Sequence, residues 1–211
     1  MLYIAAMAMG LEELTVTKRL FRNVYDVRRS DDSVLCRFHH NSQDEDILFS
    51  EDGRDQLWHC TAQVNGVTFR LSSDHFKYTN VKLNWEPHKF RASFSYESNF
   101  YTWVLETDDV VRCYSNKGIT IAMISPTYGM SISSSKVYLP KGKPNVTSAL
   151  ISLLITTGFR ILQKAEWEGL TFHELRRRLA TSLEKDQKAI ENSVMVASIS
   201  SGVGNLPMLF M

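Results

Sequence analysis

Residues 146–162, VTSALISLLITTGFRIL, are the longest apolar run in the chain, and they restrict its fold more than any other stretch. Leu150, Leu153, Leu154, Ile161 and their neighbours leave no clean polar stripe. A helix that is apolar all round has to be buried on all sides. Three readings compete. As a membrane span the run is about 17 residues, at the short limit for a bilayer core. It also carries Thr147, Ser148, Ser152, Thr156, Thr157 and Gly158, with Arg160 near its end in a position to snorkel. As a ligand-lined helix it would flank a pocket. As a rod inside a β structure it would supply apolar volume, with Ala149, Ser152 and Gly158 letting strands approach. What precedes the run favours the rod.

That preceding region reads as a succession of short strands. FRNVYDVR (21–28) and VLCRFH (34–39) flank Ser30-Asp31-Asp32-Ser33, whose side chains bond their own backbone and favour a turn. Ile47-Leu48-Phe49 is a short strand before Glu51-Asp52-Gly53-Arg54. In LWHCTAQV (57–64), Trp58, Cys60, Ala62 and Val64 form the more apolar parity, as a strand with one buried face requires. Asn65-Gly66 then predicts a type I′ hairpin turn, with positive φ at both residues, before Val67–Leu71. In FKYTNVKLNW (76–85) the parity flips near Thr79-Asn80, which predicts a bulge. FRASFSY (90–96), FYTWVLE (100–106), VVRCY (110–114), ITIAMIS (119–125) and MSISSSKVYL (130–139) complete the series. Roughly ten to twelve strands with tight turns between them predict an antiparallel meander closing into a barrel or sandwich. A barrel of about twelve strands is too wide for side chains alone to fill, and a central helix supplies the missing volume. A helix that fills the interior leaves binding to the outer surface or to the C-terminal residues.

Pro140-Lys141-Gly142-Lys143-Pro144 reads as the hinge into the helix, with Pro144 suited to its first turn. Beyond it, Thr171 to Glu174 has the pattern of a capping box. The amphipathic helix it opens carries Phe172, Leu175, Leu179, Leu183, Ile190 and Val194 on one face and Arg177, Arg178, Glu184, Lys185 and Lys188 on the other. The glycine- and proline-containing end, SISSGVGNLPMLFM, is expected to fray. The expected organisation is an N-terminal segment 1–14, a β-barrel over 15–165 with its central helix at 145–163, and a helical appendage over 166–211 with a flexible end.

Composition adds limits. A formal charge of +1 does not draw the chain toward nucleic acid. Three widely spaced cysteines, Cys36, Cys60 and Cys113, suit neither a zinc site nor a disulfide framework. They read as small strand hydrophobes in a reducing compartment. The N-terminus lacks the basic segment of a signal peptide, and Glu12 and Glu13 follow soon after its apolar residues. A cytoplasmic chain is expected, with peripheral association at the inner membrane surface. Asn145-Val146-Thr147 matches a glycosylation sequon, read as accidental without a secretory signal.

Arg22-Asn23-Val24-Tyr25, Phe100-Tyr101-Thr102-Trp103, Val111-Arg112-Cys113-Tyr114 and the closing helix, in this order of elements, resemble the tubby C-terminal-like group. That group includes tubby domains, phospholipid scramblases, LURP-one-related proteins and fungal tubby-like domains, the branch this chain resembles most. The resemblance covers Thr15 to Gln163, while the tail from Trp167 has no counterpart. It implies a closed twelve-stranded barrel around a hydrophobic helix. The functions it implies are phosphoinositide binding, lipid movement and roles without assigned chemistry, and fold alone does not choose among them.

Candidate chemistry is sparse. His39-His40 lie on a strand, where neighbours face opposite sides and cannot share one ion, so both read as surface or turn residues. Asp44-Glu45-Asp46 and Glu51-Asp52 lack calcium-loop spacing and read as solvated loop charges. No nucleophile stands with a base, and Ser131–Ser135 lacks the Gly-x-Ser-x-Gly pattern, so a non-enzymatic chain without a cofactor is expected. Trp58, Trp85 and Trp103 among basic residues either stack bases or, as sheet context favours, form the core. The expected function is binding of anionic phospholipid or phosphoinositide headgroups through Lys136, Lys141, Lys143, Arg176, Arg177 and Arg178. The alternative is a protein partner docking on the C-terminal amphipathic helix.

Overall fold

The computed structural model describes residues 6–20, 22–42, 44–106, 108–127, 131–133, 135–141, 146–174, 176–178 and 180–181. Twelve strands run in chain order: β1 (Leu11–Lys18), β2 (Val24–Arg28), β3 (Val34–Ser42), β4 (Glu45–Phe49), β5 (Gln56–Ala62), β6 (Thr68–Ser73), β7 (Tyr78–Glu86), β8 (Arg91–Tyr96), β9 (Asn99–Leu105), β10 (Val111–Ser115), β11 (Thr120–Ser125) and β12 (Lys136–Pro140). Each pairs antiparallel with its sequence neighbours, and β1 pairs with β12 to close the barrel. Closure removes the exposed sheet edges that would otherwise template aggregation. The helix α1 (Ser148–Trp167) follows β12. It starts and ends a few residues later than expected, and Thr147 caps it by accepting the Leu150 N–H at 3.2 Å.

The barrel is filled in the way the apolar run predicted. From Leu153 to Leu162 every α1 residue is buried, including Thr156, Thr157 and Arg160. Alternation on the strands supplies the facing layer: Val27, Phe38, Leu48, Trp58, Cys60, Leu71, Leu83, Trp103 and Ile124 are all buried. Full burial of one large apolar side chain contributes about 1.5–3 kcal/mol, so this double layer dominates the fold's stability. No helix among the described residues is long and apolar enough to cross a membrane.

The helix hydroxyls have a structural use. Trp58 Nε1–H donates to Ser152 Oγ and Trp103 Nε1–H to Thr157 Oγ1, both at 2.9 Å. Trp85 Nε1–H donates to Glu168 just past the helix end at 3.1 Å. The hydroxyls of Ser152, Thr156 and Thr157 also donate to carbonyls one turn back. Tryptophans that enter a core need a partner for the indole N–H, and the helix provides it. These rings face inward and do not form a base-stacking surface.

Several local expectations need correction. β1 begins at Leu11, so the last residues of the expected N-terminal segment belong to the barrel. Ala6, Leu11, Val110, Met123 and Tyr138 form a further buried apolar cluster. β5 ends at Ala62, and Val64 is fully exposed. Only Gly66, at φ 65°, is left-handed in the β5–β6 turn, so Asn65-Gly66 is not a type I′ turn. Instead Asn65 Oδ1 accepts from the Val67 and Thr68 N–H groups, and the longer connection tolerates a right-handed asparagine. The bulge at Thr79-Asn80 is present: both lie opposite Ser72 between the Leu71–Val81 and Ser73–Tyr78 pairs.

The chain divides into two compact units, Met1–Phe172 and His173–Met211. In the second, residues 173, 174, 176–178 and 180–181 are helical. Leu183, Ile190, Val194 and the C-terminal end, on which the amphipathic-helix expectation rested, lie outside the described residues.

Candidate functional site

Of the sequence-predicted cations, Lys136 and Lys141 belong to the first unit and Arg176, Arg177 and Arg178 to the second. Lys136, at the start of β12, pairs with Glu13 at 2.7 Å, and Lys141 pairs with Glu12 at 3.3 Å. Lys143 lies outside the described residues. Arg177 and Arg178 both engage Glu174 at 2.8 Å, one turn away on their own helix, and Arg176 is on the same helix. A carboxylate therefore stands beside Lys136, Lys141, Arg177 and Arg178.

A denser basic cluster lies on the opposite parity of β2 and β3 from the core. Val27 faces in, which turns its neighbours Asp26 and Arg28 outward, and Arg37 stands opposite Asp26 across the β2–β3 ladder. Arg19, just after β1, donates Nε–H to both Asp26 oxygens at 3.1 Å. Arg28 Nη2 donates to Asp26 Oδ2 at 3.1 Å, and Arg37 Nε stands 3.5 Å from Oδ1. Arg37 Nε is buried and has no hydrogen-bond partner. Arg28 also meets the exposed Asp32 at 3.3 Å. Three guanidiniums thus share one buried carboxylate and one exposed one. His39 reports the resulting field: burial first, then Arg19, Arg37 and Arg22, hold its imidazole below the ordinary histidine pKa. Sequence reading missed this cluster because the arginines are 9 to 18 positions apart and meet only through strand pairing.

The second missed feature is ionic and inside. Arg160 and Asp46 are both buried, with Nη1 to Oδ2 at 2.9 Å. His40 Nδ1 lies 2.7 Å from Asp46 Oδ1, and a carboxylate acceptor requires the proton on that nitrogen. With its amide nitrogen turned toward Asp46, Gln163 donates at 3.2 Å while its oxygen accepts from His40 at 3.0 Å. The Arg160 guanidinium also lies over Phe69 at 4.4 Å and Trp167 at 5.0 Å. This overturns two expectations. His40 is not a plain surface histidine, and Asp46 is not a solvated loop charge. β4 starts at Glu45, which puts Asp46 on the inward parity with Leu48. Arg160 does not snorkel, because its counter-ion comes to it inside the barrel. A lone arginine in an apolar helix was the signal for a buried carboxylate.

The third feature is a cavity. At the end of the barrel where α1 begins, a space of about 470 Å³ lies between the helix and the wall. Leu35, Cys36, Leu57, Phe76, Ile151 and Ile155 line it. A further cavity of about 340 Å³, lined by Ile121, Leu150 and Leu154, adjoins another face of the same end of α1. Both spaces open to solvent at the barrel mouth, while the buried middle of the barrel is filled, because a helix is narrower than a twelve-stranded barrel and fills its middle better than its mouth.

Reactive groups are muted. Cys36, Cys60 and Cys113 are free and buried, and burial pushes each thiol well above its ordinary pKa. They behave as the small hydrophobes the sequence suggested. Among the described residues no cluster of His, Cys, Asp and Glu is arranged to hold a metal ion.

No protein family matches the chain, and no curated protein matches it. An X-ray structure of a protein from Arabidopsis thaliana is similar over 74% of this chain and 91% of that one, with 10% sequence identity and a TM-score of 0.44. The fold itself is plain from the strand pairing: a mainly β, closed, twelve-stranded antiparallel barrel around a buried helix.

Proposed function

We propose that this chain is a non-enzymatic binding module of the tubby-like type that takes an anionic phospholipid headgroup on the outer face of β1–β3. The observation that carries this reading is the convergence of Arg19, Arg28 and Arg37 on Asp26. Asp26 and the exposed Asp32 together counter two of the three guanidinium charges, and Arg37 keeps a buried, unbonded Nε. Guanidinium groups bind phosphate oxygens in bidentate pairs, which makes a phosphorylated headgroup the natural complement. Binding at such a face associates the protein peripherally with an anionic leaflet.

Vesicle co-sedimentation of the full chain tests this. Pelleting is expected with vesicles containing phosphoinositide and not with neutral phosphatidylcholine alone. Each cation near an anionic surface contributes about 1 kcal/mol, so Arg19→Gln with Arg37→Gln should weaken binding about 30-fold. Lys136→Gln with Lys141→Gln should leave it nearly unchanged. The reverse pattern moves the headgroup to the β1–β12 side, and equal pelleting with both vesicle types removes the headgroup reading. Inorganic phosphate as competitor separates recognition of phosphate from a need for a lipid surface.

A further inference from the structure

The mouth cavity has an architecture that a packing defect does not need. Two of its lining residues, Leu35 and Leu57, are bulge residues. Val27 pairs with Cys36 and Arg28 with Val34, which leaves Leu35 as the extra residue on β3. Leu48 pairs with Trp58 and Phe49 with Gln56, which leaves Leu57 as the extra residue on β5. In unbroken alternation both leucines would share the outward parity, since Cys36 and Trp58 face in. A bulge re-aims a side chain at a barrel rim. Here both bulges turn a leucine toward the same cavity and leave it half-exposed. The β10–β11 ladder repeats the device at Ile121, which lines the cavity on the other face of α1.

The interior of the cavity is also chemically quiet. The Ser152 hydroxyl is spent: it accepts from the Trp58 indole and donates to the Ser148 and Ala149 carbonyls. The remaining charge is at the rim. Glu12 is countered by Lys141, and Glu51 is exposed. His75 stands edge-on to Phe76 at 4.7 Å. Arg29, on the inward parity of β2 just past its end, donates to Ser33 Oγ at 3.3 Å and makes no ion pair among the described residues. Its charge is felt by the exposed Asp31. An apolar recess of about 470 Å³ is within the size range of small-molecule sites, about 300–1,000 Å³, and among the described residues that line it Arg29 supplies a permanent positive charge at its lip.

We propose that this mouth binds a free fatty acid, with the hydrocarbon chain between α1 and the two bulge leucines and the carboxylate at Arg29. The site is separate from the arginine face on β1–β3 and stands or falls independently of it. Displacement of the fluorescent fatty acid cis-parinarate from the full chain, by laurate and by lauryl alcohol, reads it directly. Saturable binding of one parinarate per chain is expected, with laurate displacing it at least tenfold better than the alcohol. Ile151→Trp fills the recess and should weaken parinarate binding at least tenfold with an unchanged unfolding midpoint. Leu57→Trp does the same from the opposite wall, should Ile151→Trp fail to fold. Arg29→Gln should cost laurate about tenfold and leave the alcohol unaffected. Arg19→Gln with Arg37→Gln should leave parinarate binding intact. Absence of saturable binding, equal binding by the folded tryptophan variants, or equal displacement by acid and alcohol each overturns the proposal.

Discussion

At the residue scale, the decisive side chain is Arg160. It lies within the apolar run, and its cost there is set by what meets it. Asp46 supplies the countercharge, while His40 and Gln163 complete the carboxylate's hydrogen bonds. Removing one member of a buried pair strands the other charge, which costs about 3–5 kcal/mol. Arg160→Met is therefore expected to lower unfolding free energy by about that much in urea denaturation, and Asp46→Asn to do similarly. The double variant should cost clearly less than the sum of the two, because neither charge is then left alone. Strict additivity in that cycle would mean that the pair is uncoupled. The sequence held half of this. The arginine was visible as an anomaly, but its partner 114 positions away looked like one acid among three in a loop.

At the element scale, α1 fits its barrel through one small residue. A Cβ at Gly158 would stand 2.5 Å from Ile124 Cδ1 and 2.9 Å from the Trp103 ring, and Trp103 is pinned by its bond to Thr157. Helix propensity favours alanine over glycine by about 1 kcal/mol. Overpacking a dense core costs about 1–3 kcal/mol and opposes it. Gly158→Ala should thus destabilise by about 1 kcal/mol in urea unfolding, and Ile124→Val, which removes the clashing Cδ1, should restore stability in the double variant. A gain in stability from Gly158→Ala alone would show that the helix has slack at this level. The helix and most strands were legible in the sequence, because their patterns are local. The bulges at Leu35, Leu57 and Ile121 were not, since a bulge is defined by the partner strand. The bulge at Thr79-Asn80 was legible because it breaks an apolar alternation within one strand.

At the scale of the whole molecule, the ion pairs on the barrel set its response to pH. Hydrogen bonds from Arg91 and then Lys89 hold Glu86 down to about 2, and Arg112 holds Asp108 below the usual aspartate range. A depressed carboxylate contributes stability that is complete above its unfolded pKa, about 4. That contribution is lost as pH falls through the folded value. These groups are largely solvent-facing, so each contributes at most about 1 kcal/mol. Tyr114 behaves in the opposite sense. Burial and its hydrogen bond to Glu106 push it up to about 12. Its contribution is complete below the unfolded tyrosine pKa, about 10, and disappears as pH rises toward 12. The thermal unfolding midpoint should therefore be flat only from about pH 7 to pH 8. It should fall slightly below about pH 6.5, where folded His39 resists protonation, and further between about pH 4.5 and pH 2. It should also fall above about pH 8.5, where the buried Cys36, Cys60 and Cys113 thiols resist ionisation, with Tyr114 adding to that limb above about pH 10. Glu86→Gln should flatten the acid limb slightly, and an acid limb identical to that of the unsubstituted chain would remove Glu86 from this account.

The sequence by itself determined the class of this protein. Alternating strands and one helix without a polar face leave few ways to bury apolar surface, and a closed barrel around that helix is one of them. Those signals are periodic and local, so they survive without neighbours. Only the tertiary structure decided where charge and space are found. Asp46 meets Arg160, three arginines gather on Asp26, and two bulge leucines turn into the mouth cavity because strand register brings distant positions together. Register depends on pairing across the whole sheet, which no single stretch of the chain encodes. The apolar run that most restricted the fold proved to be an axle with a buried charge toward its C-terminal end and open space where it begins.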